Sequence, residues 1–294
     1  MIDIDTDLVR RLIASQFPQW VELSVQPVTP GGWDNRTFRL GNEMKVRLPS
    51  AESYVAQTKK EFDWLPKLAP LLPLPVPALL AMGLPAEGYP WPWSVYRWIE
   101  GHPATLERIA DPCMFATSLA GFILALQRID PTGGPAPGAH NFFRGGLLTI
   151  YDEGTRSALK ILGDAVDAKD TAAVWDAALN ATWSGPSVWV HGDVAAENLI
   201  IQNGQLNAVI DFGLLAVGDP ACDLTIAWTL LEGEGRQAFK AAVQHDEATW
   251  ARARGWALWK ALITLPKHNS TSIEAAKLHR VIDAVTAEHK PGGP

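Results

Sequence analysis

Residues 187–223 hold the feature that restricts this chain most: two short apolar runs, each stopped by an acid. Val188-Trp189-Val190 breaks at His191-Gly192-Asp193, and Leu206 to Ile210, entered through Asn203-Gly204, stops at Asp211-Phe212-Gly213. Apolar runs of this length bounded by turn residues read as strands, here as two strands of a hairpin-like ribbon that each deliver a carboxylate at their end. A single Asp at a strand end is ordinarily a turn or cap residue. Asp193, Asn198 five positions later and Asp211 in one window call for a chemical reason.

Phosphoryl transfer supplies one. It needs a carboxylate to orient a hydroxyl and oxygen ligands to hold Mg²⁺ on the phosphates, and little covalent help besides. The order and spacing of Asp193, Asn198 and Asp211 are those of a kinase catalytic loop followed by its magnesium-binding loop. With Gly218-Asp219-Pro220 and Asp223-Leu224 behind them, the stretch resembles the aminoglycoside phosphotransferase family of small-molecule kinases. Gly192, where protein kinases usually carry Arg, favours that family over them.

The resemblance implies an α+β, protein-kinase-like two-lobed fold, with a small N-terminal antiparallel sheet lobe carrying a helix and a larger, mostly helical C-terminal lobe. It also implies Asp193 as catalytic base, Asn198 and Asp211 as Mg²⁺ ligands, and Asp219 and Asp223 as braces for the loop. His191 reads as a residue that holds the loop by hydrogen bonds, not as an acid or base.

The length, 294 residues, fits two lobes: 1–100 for nucleotide, ending in a hinge, and 101–294 for the catalytic loop, the metal loop and the acceptor site. The thirteen tryptophans read mostly as core or cleft walls. A net charge of -7 argues against nucleic acid as partner and suits a cationic one, although mild acidity is also common among soluble proteins. Two cysteines, Cys113 and Cys222, without Cys-x-x-Cys spacing, argue against a disulfide framework or structural zinc and for a reducing compartment. The acidic start Met1-Ile2-Asp3-Ile4-Asp5 is unlike a secretory signal, and no run approaches the ~18 apolar residues of a membrane span, so a cytoplasmic protein without a membrane partner is expected.

Along the first hundred residues, Asp7 precedes Leu8, Val9, Leu12, Ile13 and Phe17, a short capped helix. Strands are expected over Leu23–Val28, Thr37–Leu40 and Met44–Leu48, around Pro30-Gly31-Gly32-Trp33-Asp34-Asn35. Gly31 and Gly32 can bring backbone N–H groups to a phosphate, although Gly-Gly is also ordinary hairpin chemistry. Lys45 and Arg47 are two apart and face one side of a strand. The resemblance puts Arg47 where kinases hold the phosphate-pairing Lys, with Lys45 as the open alternative and Glu61, on a helix over Ser53–Leu68, as partner of that cation. Arg grips through a planar fork whereas Lys acts as a point charge. The proline-rich stretch 66–92 reads as extended chain, and Ser94–Ile99 as a strand broken by Glu100-Gly101. By the resemblance, the main chain of Arg97 and Ile99 meets the adenine.

In the second part, the stripe Phe115, Leu119, Phe122, Ile123 and Leu126 marks a central helix within Thr105–Ile129. Helices are expected at about 155–162, 169–183, 224–231, 247–265 and 273–288, and a frayed tail over 291–294. A polyamine acceptor needs carboxylates for its ammonium groups, which makes Asp152, Glu153 and Glu197 the acceptor-side candidates, although acids at a helix start also serve the helix dipole. Glu232 and Glu234 are read at a helix end, where acids are unfavourable.

The expected activity is transfer of the γ-phosphate of ATP or GTP, with Mg²⁺, to a hydroxyl of a small molecule. An aminoglycoside antibiotic is the first acceptor and a macrolide the second. A metabolite kinase of the same fold and a nucleotide-binding module without turnover are the alternatives.

Overall fold

The computed structural model describes residues 3–29, 31–32 and 34–289. Pro30 and Trp33 of the glycine loop, the first two residues and the tail 291–294 lie outside the described residues.

Helix α1 (Thr6–Gln16) buries Leu8, Val9, Leu12 and Ile13. Its N-cap is Asp5, whose side chain accepts from the Leu8 N–H, and not Asp7, whose carboxylate instead meets Arg10 at 3.1 Å. Strands β1 (Val25–Pro27), β2 (Asn35–Leu40) and β3 (Met44–Pro49) follow, then helix α2 (Val55–Leu68), β4 (Leu79–Gly83) and β5 (Trp93–Arg97). The five strands form one antiparallel sheet in the order β1-β2-β3-β5-β4. Leu8, Leu12, Phe38, Leu40, Val46, Leu48, Tyr89, Trp93 and Val95 form a core on one side of this sheet. Helix α2 belongs to the other side: Leu65, Leu68 and Tyr96 pack into the larger core that continues through the rest of the chain.

That larger core is built on α3 (Pro112–Arg128), which follows the short strand β6 (His102–Pro103) and is capped by Asp111 accepting from the Cys113 and Met114 N–H groups. Helices α4 (Asp152–Leu162) and α5 (Ala168–Asn180) come next, then β7 (Val188–Val190), β8 (Leu199–Gln202), β9 (Gln205–Val209) and β10 (Ala216–Gly218). Helices α6 (Ile226–Thr229), α7 (Gly233–Val243), α8 (Glu247–Thr264) and α9 (Ile273–His289) close the chain. The fold is α+β and protein-kinase-like, a five-stranded antiparallel sheet followed by a mostly helical body.

Two expectations are corrected. The hairpin is not formed between the run before His191 and the run before Asp211. Val188–Val190 pairs with Ala216–Gly218, and the hairpin joins β8 to β9. Asn203 and Gly204 make its two-residue turn with φ of 52° and 79°, the left-handed pair that matches strand twist. Glu232 and Glu234 stand at the start of α7, where acids suit the dipole, because the chain breaks after α6.

Candidate active site

Strand β7 is buried and ends at His191, which is itself fully buried. The turn after it is held from below by one carboxylate. Asp223 accepts the His191 N–H and the Gly192 N–H, both at 2.7 Å, and is wholly inaccessible to solvent. Burial pushes the Asp223 carboxyl up, and the neighbouring His191 and those two N–H groups oppose it. Gly192 has φ of +84°, and a Cβ there would stand 2.5 Å from the Leu214 carbonyl oxygen, so only glycine fits without displacement. His191 ties the two loops together: Nδ1 lies 3.2 Å from the Asp193 N–H and Nε2 3.0 Å from the Ile210 carbonyl. One tautomer serves both, with Nδ1 accepting and Nε2–H donating.

Asn198 lies in a short 3₁₀ turn before β8. Its side-chain amide nitrogen donates to the Asp193 carboxylate at 3.1 Å and to the Asp193 carbonyl at 3.0 Å, while its main-chain carbonyl accepts from the Ile210 N–H at 2.8 Å. Asp211 follows at once with φ of 66°, a left-handed conformation uncommon for a residue with a side chain. Phe212 packs edge-on against His191 and Phe122 of α3, which anchors the turn that aims Asp211 into the cleft.

Arg47 reaches the same place from above. Its Nη1 lies 3.2 and 3.1 Å from the two oxygens of Glu61, and its Nη2 lies 3.2 Å from Asp211. Glu61, 2 % exposed, also accepts from the Tyr96 hydroxyl at 2.5 Å and the Phe212 N–H at 3.0 Å. Three donor groups therefore meet one buried carboxylate, as a buried charge requires. Burial lowers the affinity of Arg47 for its proton, and Glu61 and Asp211 more than reverse this. Burial pushes the Asp211 carboxyl up, but Arg47, His191 and Lys45 together hold it below the usual carboxylate range, and the side chain keeps 41 % of its surface open to the cleft. Lys45, half-buried on the same side of β3, has its ammonium brought down to about 8 by burial and by Arg47.

Gly31 and Gly32 are exposed, and a Cβ at either would meet nothing closer than a carbonyl oxygen at 3.5 Å. At the hinge, the Arg97 N–H is already bonded to the Ala78 carbonyl at 2.9 Å, so that position has no N–H to offer a ligand. Ile99 lies beyond β5, with neither its N–H nor its carbonyl in a backbone hydrogen bond among the described residues.

The three acceptor-side candidates separate. Asp152 accepts from Arg156 at 2.8 Å and from the Trp175 indole at 2.7 Å, contacts that fasten α4 to α5. Glu153 is exposed in the first turn of α4. Glu197 is exposed on the catalytic loop, four residues from Asp193. A cavity of about 560 Å³ opens beside the β7–β10 ribbon, lined by Trp183, Ser187, Gly218 and the Asp219–Arg252 pair, and contains none of the three acceptor-side candidates.

Several site residues had no local signal. Asp34 on the glycine loop is held by Gln57 at 3.1 Å, and its carboxyl is raised by burial and, beyond the lowering effect of Gln57, by Asp211 and Asp193, which places it over the cleft. Tyr96 lies within the strand pattern of β5, which gives no sign of its hydroxyl's bond to Glu61. Lys260 is close enough to Arg144, Asp193 and Glu197 to feel the charge of each.

The donor set fits magnesium: an ionised carboxylate from Asp211 and the amide of Asn198, whose nitrogen is engaged by Asp193 so that its oxygen is the end left for a cation. Hard oxygen donors few in number suit an ion that keeps waters and phosphate oxygens for its remaining positions.

This geometry agrees with what the chain resembles as a whole. The fold is shared with wild-type aminoglycoside 2'-phosphotransferase-IIIa in complex with GDP, at 16 % identity and TM-score 0.73, over 98 % of this chain and 100 % of that one. It is shared with aminoglycoside phosphotransferase APH(4)-Ia bound to AMP-PNP and hygromycin B, at 19 % identity and TM-score 0.63, over 96 % and 98 %. Macrolide 2'-phosphotransferase MphH from Brachybacterium faecium is similar at 20 % identity and TM-score 0.58, over 95 % and 98 %. No curated protein matches. Residues 25–256 match the phosphotransferase enzyme family, a span that takes in Arg47, Glu61, Asp193, Asn198 and Asp211, and the chain belongs to that family.

Proposed function

We propose that this protein moves the γ-phosphoryl group of Mg²⁺-bound ATP or GTP to a hydroxyl of a small molecule. Residues 1–100 supply the nucleotide lobe and residues 101–294 the transfer and acceptor site. The observation that carries the reading is the meeting of Arg47, Glu61, Asp193, Asn198 and Asp211, from β3, α2, the catalytic loop and the metal loop, at one cleft. Gly31 and Gly32 cover the phosphates with backbone N–H groups, Arg47 and Lys45 face them with charge, and Ile99 meets the base of the nucleotide. Asp193, oriented by Asn198, accepts the hydroxyl proton as the new oxygen–phosphorus bond forms and the bond to the nucleoside diphosphate breaks. Magnesium, for which Asn198 and Asp211 are the ligands on this chain, supplies neutralisation of the phosphate charge.

The names of the similar structures support an aminoglycoside or macrolide as acceptor, hence an antibiotic-modifying enzyme. One observation favours a different acceptor: Lys260 feels the charge of Asp193 and Glu197 and also that of the buried Arg144, so two cations lie near the catalytic loop where a polyamine would need carboxylates.

The test is nucleotide consumption by the purified protein with MgATP or MgGTP and a panel of hydroxylated acceptors, with product detected by mass. Acceptor-dependent diphosphate release is expected. Tight nucleotide binding without product from any acceptor would leave a binding module instead.

A further inference from the structure

Four arginines are buried among the described residues: Arg47, Arg144, Arg252 and Arg254. Three have carboxylates. Arg47 has Glu61 and Asp211, Arg252 has Asp219, and Arg254 has Glu288 and Glu247. Arg144 has none within ion-pair distance among the described residues, though it is 92 % buried and always charged. Its Nε has no hydrogen-bond acceptor.

What surrounds Arg144 is aromatic. Its guanidinium lies 4.6 Å from the ring centre of Trp259 and 5.3 Å from that of Trp256, and Tyr151 stacks on Trp259 at 4.0 Å. Trp256 has a buried indole N–H that also lacks an acceptor. Two neighbouring side chains thus present buried donors with nothing to receive them, a costly arrangement when no ligand answers it.

The position is beside the reacting groups. Asn141 accepts the Arg144 N–H at 3.1 Å, and its amide nitrogen donates to the Arg144 carbonyl at 2.9 Å and to the Leu214 carbonyl of the metal loop at 3.2 Å. Gly145 packs against Val190, the residue before His191. Lys260 follows Trp259 on α8 and shares the face of Trp256 one turn back. It is accessible to solvent, yet partial desolvation by the surrounding chain and Arg144 lower its ammonium against the pull of Asp193 and Glu197.

We propose that the acceptor carries an anionic group, carboxylate or phosphate, held by Arg144 and Lys260 while Trp259 and Tyr151 wall its carbon skeleton and Asp193 receives its hydroxyl. This rests on the phosphotransferase reading and narrows it. A planar guanidinium on an aromatic face is arranged to grip an oxyanion with two parallel hydrogen bonds. A polyammonium acceptor would meet two cations at the same place and be repelled.

Two measurements test it. In the first, MgATP or MgGTP is supplied with aminoglycosides, neutral polyols, sugar acids and sugar phosphates, the last two distinguishing a carboxylate from a phosphate anchor. Acidic acceptors should be phosphorylated in preference. Arg144→Met and Lys260→Met should each raise their KM at least about ten-fold, the loss expected for a charge-assisted hydrogen bond. The KM for nucleotide should stay within about two-fold, and an uncharged ester of the same acceptor should be indifferent to both changes. Preference for aminoglycosides, or unchanged KM in Lys260→Met, which is exposed and poses no folding problem, overturns the proposal.

The second measurement needs no acceptor. Inorganic phosphate is titrated into ¹⁵N-tryptophan-labelled protein, with the Trp256 indole signal assigned by its loss in Trp256→Phe. A saturable shift that matched sodium chloride does not reproduce, and that weakens in Lys260→Met, supports the anion site; its absence overturns it. Failure to bind MgADP would instead remove the phosphotransferase reading, which this titration does not touch.

Discussion

Arg47 and Asp211 are 164 residues apart in the chain and 3.2 Å apart in space. The same guanidinium bonds Glu61 of α2, so the sheet, the helix and the metal loop share one cation. A planar fork with donors on two ends can hold two carboxylates at once, which a lysine ammonium on a flexible stem does less well.

Arg47→Ala leaves Glu61 as a buried carboxylate with only Tyr96 and Phe212 as donors. Removing one partner of a buried pair should cost about 3 kcal/mol of stability. Chemical unfolding measures this, and the KM for nucleotide should rise with it. Arg47→Lys should recover part of the stability but not the hold on Asp211, so the nucleotide defect should persist. Full recovery of both would show that the fork is not needed.

Asp193 separates binding from turnover. Asp193→Asn keeps the shape and still meets Asn198, but it cannot take a proton from the acceptor. Nucleotide affinity by calorimetry should be unchanged while kcat falls by about 10²–10⁴, the usual weight of a positioned general base. Turnover equal to the parent would remove Asp193 from that role.

The parts of the site that were legible lie in short windows. Asp193, Asn198 and Asp211 sit within nineteen residues of each other, close enough for their order and spacing to carry the resemblance to a kinase catalytic and metal loop. The β7 partner was not legible, because a three-residue apolar run pairs equally well on paper with Leu206–Ile210 or with Ala216–Gly218, and only packing under α3 decides. At Arg97 the main-chain N–H goes to the Ala78 carbonyl just before β4, a pairing that no local pattern gives. Asp152 looked available until Trp175, 23 residues later, and Arg156 filled its oxygen. Arg144 could not be found at all, since the absence of a partner is a fact about the whole fold.

The catalytic turn rests on Asp223, and its removal has a distinct signature. Asp223→Ala would leave two buried N–H groups without an acceptor, at about 1–3 kcal/mol each. Unfolding should move to lower denaturant, and kcat should fall more than nucleotide affinity, because the turn carries Asp193 and not the phosphate contacts. Gly192→Ala should act on the same turn by a different route, forcing a Cβ against the Leu214 carbonyl at φ +84°, with a cost of about 1–3 kcal/mol. If Gly192→Ala were as stable and active as the parent, the turn would be looser than its geometry indicates.

Lys45 gives a prediction with a sign. Its ammonium sits at about 8 against an ordinary 10.5, lowered by burial and Arg47, so between those values the folded protein binds fewer protons than the unfolded chain. Stability therefore rises with pH through that window, as the cost of holding a charged lysine beside Arg47 disappears. Lys60, also brought to about 8, here by burial, adds to the same slope, so Lys45→Met should flatten the pH dependence in part and not wholly. Nucleotide phosphates beside Lys45 would favour its charged form again. Binding above about pH 8 should then take up a proton, visible as a heat that changes with the ionisation enthalpy of the buffer, and Lys45→Met should abolish that dependence. Proton uptake that survives the substitution would assign it to another group and leave Arg47 as the cation that meets the phosphates.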